Sequence, residues 1–411
     1  MLQVAFFITF ARKCMLMKRS RIRRAIKQQK TVEGFIFIVI FFVVFSYISE
    51  RMGLSNMLNT IMNTAHDLLL QTVFYLMGVV VLSGALSKLF NEFGVVRILE
   101  YTFGWLMKPL FRLPGVAVLG AIMAFLSDNP AVLTLAQEDR FNRFFRKYQL
   151  LSFVNFGTAF GMGLIVFVFM LGKGYAVEPL LGLLGAVGGC VISTRLFQKM
   201  LLRMDASYAD MMPAAETYAL SEKHTHQQQR ADMLNAKESV FIRFLNALLD
   251  GGKSGVELGL AIIPGVIIIS TAVFLLTFGP GESGVYDGSP YQGIQLLPHL
   301  AGKINFVFEW LFGFKNAELI AFPITSLGAV GAALGQVPRF MAEGLLDGNA
   351  VAVFTAMGIS WSGFFSTYSA IFDAIGYRQL TSKAIMVHLL CGLLAGIFAH
   401  WLHWLYAFVF L

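Results

Sequence analysis

The sequence predicts an all-α polytopic membrane protein, organised as an inverted repeat with re-entrant helical hairpins. Three observations support this fold class. Hydrophobic residues fill 57% of the 411 positions and charged residues only 14%, whereas soluble domains are about 25% charged. Several apolar runs reach the roughly 20 residues that a bilayer-spanning helix needs. The two halves of the chain also share one order of segments, with opposite orientation.

The distribution of Lys and Arg predicts the orientation of the helices. Nine of these residues lie between Arg12 and Lys30, and the positive-inside rule places such a segment in the cytoplasm. We interpret it as a cytoplasmic tail and not as a nucleic-acid-binding arm. The predicted spanning helices are 34–49, 70–89, 149–172, 178–197, 255–278, 349–372 and 384–410. This topology leaves five of the 32 Lys and Arg outside the cytoplasm: Arg51, Lys173, Lys303, Lys315 and Arg339.

The first half contains a broken apolar segment. Residues 53–68 and 98–111 are amphipathic and are expected at the membrane surface. Residues 114–137 are long enough to span, but Ser127–Pro130 interrupt them, because Asx-Pro favours a turn. A crossing would place the basic cluster at 139–147 outside the cytoplasm, so we expect a re-entrant hairpin.

The second half repeats these parts. An amphipathic piece at 240–250 precedes the helix 255–278, and an aromatic segment at 303–314 follows an outer loop. Residues 318–336 are apolar but contain Pro323 and several glycines, which predicts a second hairpin with its tip at Thr325–Gly328.

Five segments follow from this division. They are a basic cytoplasmic tail (1–33), a first transmembrane helix with an outer amphipathic segment (34–65), a first membrane repeat (66–197), a cytoplasmic linker (198–244), and a second membrane repeat with the terminal helix (245–411).

The order of parts indicates a secondary transporter. Each half has a spanning helix, an interfacial helix with Phe-x-Trp-Leu (Phe103–Leu106 and Phe308–Leu311), an interrupted hairpin, and a helix rich in small and polar residues. Inverted repeats with interrupted apolar segments at matching positions are typical of secondary transporters, which bind solute between the repeats. A helical bundle with coincidental amphipathic segments is the alternative.

Asp128 is the most informative single residue. A carboxylate at membrane depth is costly and usually functional, and a hairpin tip there must line protein or water. The alternative is that Asp128 only caps the helix that begins at Pro130. The candidate substrate-binding residues are the polar groups of both tips and of the helices that follow them: Ser127, Asp128, Asn129, Asn155, Thr158, Thr325, Ser326, Ser360, Ser362, Thr367 and Tyr368. Hydroxyl groups also serve helix packing in membranes.

Two stretches resemble a known family. PITSLGAVGAALGQ with AVFTAMGISWSGFFSTYSAIFDAIG in the second half, and SDNPAVLTLAQ with NFGTAFGMG in the first, resemble the Gate or nucleoside-recognition domain. This domain occurs in concentrative nucleoside transporters, in the ferrous-iron permease membrane domain and in spore-maturation proteins. The resemblance covers about 66–195 and 245–405 and implies two fused Gate units that transport a small polar solute or ion.

We therefore expect a permease that moves a small polar, nucleoside-like solute by alternating access across a bacterial inner membrane, with its N-terminus in the cytoplasm. The alternatives are a non-transporting assembly or maturation factor and an ion or metal permease. The sequence contains no HExxH, GxSxG or Walker-type motif, so no enzyme is expected. No cofactor or metal site is predicted, although Na⁺ or H⁺ is a candidate coupling ion. The expected partners are the lipid bilayer and the solute, with no nucleic acid; a homo-oligomer is left open.

Overall fold

The protein is mainly helical in the part that the computed structural model describes, which comprises residues 30–127, 130–136, 139–211, 239–281, 284–362, 368, 371–373 and 375–410. The helices of the first half are α1 (Lys30–Met52), α2 (Leu54–Glu92), α3 (Val95–Phe111), α4 (Gly115–Leu126), α5 (Pro130–Ala136), α6 (Asp139–Asn142), α7 (Lys147–Gly172) and α8 (Glu178–Met204). Those of the second half are α9 (Val240–Thr277), α10 (Leu296–Gly302), α11 (Asn305–Phe312), α12 (Ala317–Gly328), α13 (Val330–Leu334), α14 (Val337–Ala342), α15 (Gly348–Ser360) and α16 (Arg378–Phe410).

Within these ranges six helices are long and apolar enough to cross a membrane: α1, α2, α7, α8, α9 and α16. A bent pair, α3 and α4, meets at 108°. The chain is therefore an all-α, multi-pass membrane protein. Helix α2 has 39 residues and is about 58 Å long at 1.5 Å per residue. It joins the amphipathic stretch 53–68 to the predicted span 70–89 without a break, through a π-helical segment at Leu68–Val73.

Two pairs of long antiparallel helices form the frame, and each pair takes one helix from each half. Helix α2 packs on α9, where a Cβ on Gly84 would lie 2.5 Å from the carbonyl oxygen of Gly251. Helix α8 packs on α16, where a Cβ on Gly189 would lie 2.5 Å from the carbonyl oxygen of Cys391. Small residues allow such close approach of backbones within membranes. Each frame pair thus joins the first half of the chain to the second.

These pairs define two faces of the molecule. At the basic face α2 and α8 end and α9 and α16 begin; Arg243 Nε lies 2.8 Å from Glu92 Oε1, and Lys383 Nζ lies 3.3 Å from Met204 Sδ. Lys88, Lys199 and Arg203 lie near the same ends. The opposite face, where α2 begins and α9 and α16 end, is called the distal face.

Helices α4 and α5 form a hairpin along α7. Gly120 lies against the ring of Phe153, and Gly163 lies against the ring of Phe125. Helix α4 therefore runs alongside α7 in the same direction. Val132 then contacts Gly157, and the Phe141 ring lies 5.0 Å from the Phe153 ring, so the chain returns to its starting level.

The corresponding hairpin of the second half runs along α15. Phe322 stacks on Phe354 at 4.0 Å, Val330 contacts Gly358, and the Phe340 ring returns to within 6.0 Å of Phe354. Gln336 Nε2 donates to Thr325 Oγ1 at 2.5 Å across 11 residues, which a continuous helix would separate by about 16 Å. The chain therefore turns back at Ala329, whose backbone is extended, and not within Thr325–Gly328 as the sequence predicts.

Three side chains fix the start of the first hairpin. The last carbonyls of α3 and the turn after it accept hydrogen bonds from Arg195 Nε at 2.6 Å, Gln198 Nε2 at 2.9 Å and Gln149 Nε2 at 2.9 Å. A helix C-terminus leaves such carbonyls without intrahelical partners. Because Arg195 and Gln198 belong to α8, the frame holds the hairpin at the basic face.

Candidate functional site

Helix α7 is broken within the membrane-spanning stretch. Residues 159–162 form turns, and Met162 adopts a left-handed backbone conformation with φ 52°. The sequence predicts an uninterrupted helix over 149–172, because the run is long enough to span and largely apolar. The break leaves backbone groups near Thr158 and Gly163 without regular helical partners, as in the discontinuous helices of transporters.

Asn155 lies one turn before this break and is fully buried. Neither its amide oxygen nor its amide nitrogen has a hydrogen-bond partner among the described residues. A buried amide without partners costs about 1–3 kcal/mol. Such a group indicates a place where a ligand or water supplies the missing hydrogen bonds.

Helix α15 ends at Ser360 and is followed by a turn at Trp361 and Ser362. The predicted helix 349–372 is thus interrupted, and residues 368 and 371–373 are helical again. The Ser360 carbonyl accepts a hydrogen bond from His388 Nε2 of α16 at 2.6 Å. Ser362 is also buried, which places two of the predicted site residues of the second half, Ser360 and Ser362, at this break.

One hydrogen bond joins the two breaks. The hydroxyl oxygens of Thr158 and Tyr368 are 2.8 Å apart. Thr158 donates its proton to the Val154 carbonyl at 2.7 Å, so Tyr368 is the donor to Thr158. The Tyr368 ring lies 4.9 Å from the His388 ring. The structure thus brings Asn155, Thr158, Ser360 and Tyr368 into one buried polar region.

The hydroxyls of Thr325 and Ser326 are engaged within their own helix, apart from the Gln336 contact described above. Thr325 donates to Ala321 O at 2.8 Å and Ser326 donates to Phe322 O at 2.9 Å. Both side chains are buried. They stabilise the second hairpin in this conformation.

Ser127, at the tip of the first hairpin, lines a cavity of about 440 Å³. The cavity lies between α2, α9, α4 and α7 on the side of the basic face. Its polar lining consists of Ser87, Lys88, Asn91, Ser127, Ser254 and Glu257. Helix α7 contributes Ile165 to the lining, just beyond the α7 break. The volume falls in the range of small-molecule sites.

The second hairpin tip faces the distal half of α9 and is tightly packed there. A Cβ on Gly265 would lie 3.3 Å from Ala329 Cβ, and one on Gly331 would lie 3.2 Å from Ile262 Cβ. Gly265 begins a π-helical segment of α9, Gly265–Ile269, a feature often found at functional sites. The two hairpin tips therefore differ: Ser127 at the first borders a cavity, whereas Ala329 and Gly331 at the second pack against α9.

A loop between α9 and α10 covers the distal face. Tyr291 donates its hydroxyl proton to Asp67, and its backbone N–H donates to Thr64 Oγ1 at 2.8 Å. The Arg339 guanidinium lies 5.2 Å from the Tyr291 ring, within cation–π range. Burial, and then the hydrogen bond to Asp67, raises the pKa of the Tyr291 phenol, so the group remains a donor at physiological pH.

Sequence reasoning missed several of these groups. His388, Lys88, Glu257, Tyr291 and Asp67 were not predicted as site residues; the ionisable ring of His388 in an apolar helix was the available signal. The predicted residues Asp128, Asn129 and Thr367 lie outside the described residues. Among those described, no three His, Cys, Asp or Glu side chains are grouped so as to hold a metal ion.

Comparison with known proteins identifies part of the chain. None of the curated proteins matches it. Residues 73–174 match the model of the Gate family, described as nucleoside recognition. This range runs from the π-helical segment of α2 through the first hairpin to the end of α7, and includes Ser127, Asn155 and Thr158. The second Gate unit, at 245–405, stays a prediction. The chain is thus a multi-pass membrane protein whose residues 73–174 are similar to the Gate family, described as nucleoside recognition.

Proposed function

We propose that the protein is a secondary transporter that moves a small polar solute across a bacterial inner membrane by alternating access. The observation that carries this proposal is the difference between the two hairpin tips. A cavity reaches Ser127 from the basic face, while the distal face is covered by the Tyr291 loop. A one-sided cavity that ends near broken helices is what a transporter open to one side requires.

In this proposal the solute binds between the two breaks, where the Asn155 amide supplies one donor and one acceptor. The basic face is cytoplasmic, in agreement with the positive-inside rule. In this proposal the conformation described is the inward-open state, and transport requires the first hairpin to close while the second opens. The amide favours solutes that themselves carry adjacent donors and acceptors, such as a nucleobase or another amide.

The test is a ligand screen on the purified protein. Its melting temperature is measured with nucleosides, nucleobases, amino acids, small organic acids and divalent metals. A solute that binds the folded state alone raises the midpoint by mass action, by about 2.7 kcal/mol of stability at one hundred times its Kd. We expect one solute class to do so, and expect Asn155→Leu and Asp128→Asn to lose the effect.

Thr355→Val is the matched control. Thr355 is buried on the corresponding helix α15, and its hydroxyl donates only to Val351 O at 2.7 Å. This variant should keep the solute effect. If no class shifts the midpoint of the wild type, the permease proposal fails and the assembly-factor alternative gains support. A shift by divalent metals alone would instead favour the ion permease.

A further inference from the structure

Two side chains of opposite charge line the cavity at the basic face: Lys88 of α2 and Glu257 of α9. Among the described residues, neither side chain takes part in an ion pair or a hydrogen bond. By contrast, Glu92 and Arg243 of the same two helices are paired at 2.8 Å. The cavity therefore presents an unpaired ammonium group and an unpaired carboxylate.

Glu257 lies farther from the basic face than Lys88. A Cβ on Gly251 would lie 2.7 Å from Lys88 Cβ, so Lys88 is level with Gly251 of α9. Glu257 follows Gly251 by six residues, which is about 9 Å along the helix. It belongs to the apolar run 255–278, and charged side chains in such runs usually face a water-filled cavity or a partner. The carboxylate is therefore at the inner level of the cavity and the ammonium group nearer the basic face.

This spacing determines which solutes leave no charge uncompensated when the cavity closes. An ionised group that is removed from water without a partner is strongly destabilised. Closing the empty cavity would bury both charges unpaired, and a solute with a single charge would compensate only one of them. A zwitterion presents a carboxylate to Lys88 and an ammonium group to Glu257, so it compensates both.

We propose that this cavity binds a zwitterionic solute of the amino-acid type, with its ammonium group on Glu257 and its carboxylate on Lys88, and that the cavity closes only when loaded. The inference rests on the proposed permease function and names its substrate class. The Asn155 amide suits the same solute, because its nitrogen donates to a carboxylate and its oxygen accepts from an ammonium group. The volume of about 440 Å³ leaves room for the side chain of such a solute.

The test compares a zwitterion with its two singly charged derivatives, on the full chain in nanodiscs. The probes are the α-amino acids and γ-aminobutyrate, whose two charges lie farther apart. Each probe is accompanied by its amide, which keeps only the ammonium group, and by its N-acetyl derivative, which keeps only the carboxylate. Equilibrium dialysis should show that a zwitterion binds roughly tenfold or more tightly than either derivative. Equal affinities of the three compounds would overturn the proposal.

Neutral variants assign the two contacts. Glu257→Gln should weaken binding of the zwitterion roughly tenfold or more and should not weaken that of the N-acetyl derivative, which has no ammonium group. Lys88→Met should weaken binding of the zwitterion likewise and spare the amide. Asp250→Asn and Lys253→Met are matched controls on α9, because both side chains are exposed outside the cavity lining. Cavity variants that bind as the controls do, or a loss in Glu257→Gln alone, would contradict the proposal.

Closure is followed by maleimide labelling of Ser87→Cys in a Cys14→Ala background, since Ser87 lines the cavity and the other two cysteines are buried. A saturating zwitterion should slow labelling roughly threefold or more, and neither derivative should do so. Labelling that stays fast with bound zwitterion would show that the cavity does not close. A wild type that binds nucleosides but no zwitterion would refute this inference alone, whereas a zwitterion that binds here but does not enter proteoliposomes would refute the permease proposal.

Discussion

At the residue scale, the Asn155 amide is the clearest indication that this core has a function besides stabilising the fold. Polar groups in a membrane interior are normally paired, and the neighbouring Thr158 and Tyr368 satisfy each other at 2.8 Å. Asn155 does not follow this pattern, although its side chain is as buried as theirs. The unpaired amide lowers the stability of the protein at a position where an apolar side chain would fit. We infer that the amide gains hydrogen-bond partners when the protein functions.

Replacement of Asn155 by leucine, which is of similar size, should therefore stabilise the protein without solute. Replacing an unpaired buried polar group by an apolar one removes a desolvation penalty of about 1–3 kcal/mol. We expect a higher melting temperature in detergent, together with the loss of any solute-induced shift. Thr158→Val serves as the contrast: it removes the acceptor of Tyr368 and should lower the melting temperature. A lower midpoint for Asn155→Leu would show that the amide has a structural role.

At the element scale, glycines set the spacing of the frame pairs. The backbones of α2 and α9 approach so closely that no side chain fits between Gly84 and Gly251. The next glycine along, Gly252, faces outward from this contact, and a Cβ there would lie 3.7 Å from Val81 Cγ1, an ordinary distance. The two positions are adjacent and chemically alike, so the effect of one added methyl can be compared directly.

Gly251→Ala should destabilise the protein by about 1–3 kcal/mol, because the methyl would lie 2.4 Å from the Gly84 carbonyl oxygen and force the helices apart. Gly252→Ala should be neutral or stabilising by up to about 1 kcal/mol, since alanine favours the helix. Thermal unfolding of both variants beside the wild type is the measurement. Equal effects of the two substitutions would mean that the α2–α9 contact does not limit stability.

The elements also show which features the sequence can predict. The spanning helices were predictable because length and apolarity suffice for them. The breaks in α7 and α15 were not, because the glycine and hydroxyl residues around 159–162 and after Ser360 also occur in continuous membrane helices, where they serve packing; packing of Gly157 on Val132 and of Gly358 on Val330 accompanies the breaks. Asn155, Thr158, Ser360 and Tyr368 were predicted from residue type alone, whereas their meeting depends on contacts about 200 residues apart in the chain.

At the scale of the whole molecule, the two halves of the chain adopt different conformations, and in the proposed mechanism this difference decides which face is open. The distal loop is tied to α2 by Asn56 Nδ2, which donates to Tyr286 O at 2.7 Å, and by Asn63 Nδ2, which donates to Gly288 O at 2.9 Å. Tyr291 adds the contact with Asp67, at the strained φ of 66°. We expect these bonds to break when the distal face opens, so that they favour the state whose cavity opens at the basic face.

Tyr291→Phe should shift this balance toward distal opening, because it leaves Asp67 without the phenol donor. Loss of a hydrogen bond to a charged group costs about 1.5–3 kcal/mol, which corresponds to a shift of roughly tenfold or more in the equilibrium between the two states. This shift is measured as the rate at which a maleimide labels each of two introduced cysteines in a Cys14→Ala background. Labelling of Thr60→Cys, which is buried near the distal face, should accelerate, and labelling of Ser87→Cys in the cavity should slow.

Alternating access predicts opposite changes in the two labelling rates. Local loosening of the loop would change the rate at Thr60→Cys alone. Tyr286→Phe is the matched control, since the Tyr286 hydroxyl donates to Gly293 O at 2.8 Å within the same loop and does not tie it to α2. That variant should leave both labelling rates near those of the parent. If Tyr291→Phe exposes Thr60→Cys while Ser87→Cys labels as before, the two faces open independently. The Tyr291 contact would then stabilise only the position of the loop, and the protein would not alternate between the two proposed states.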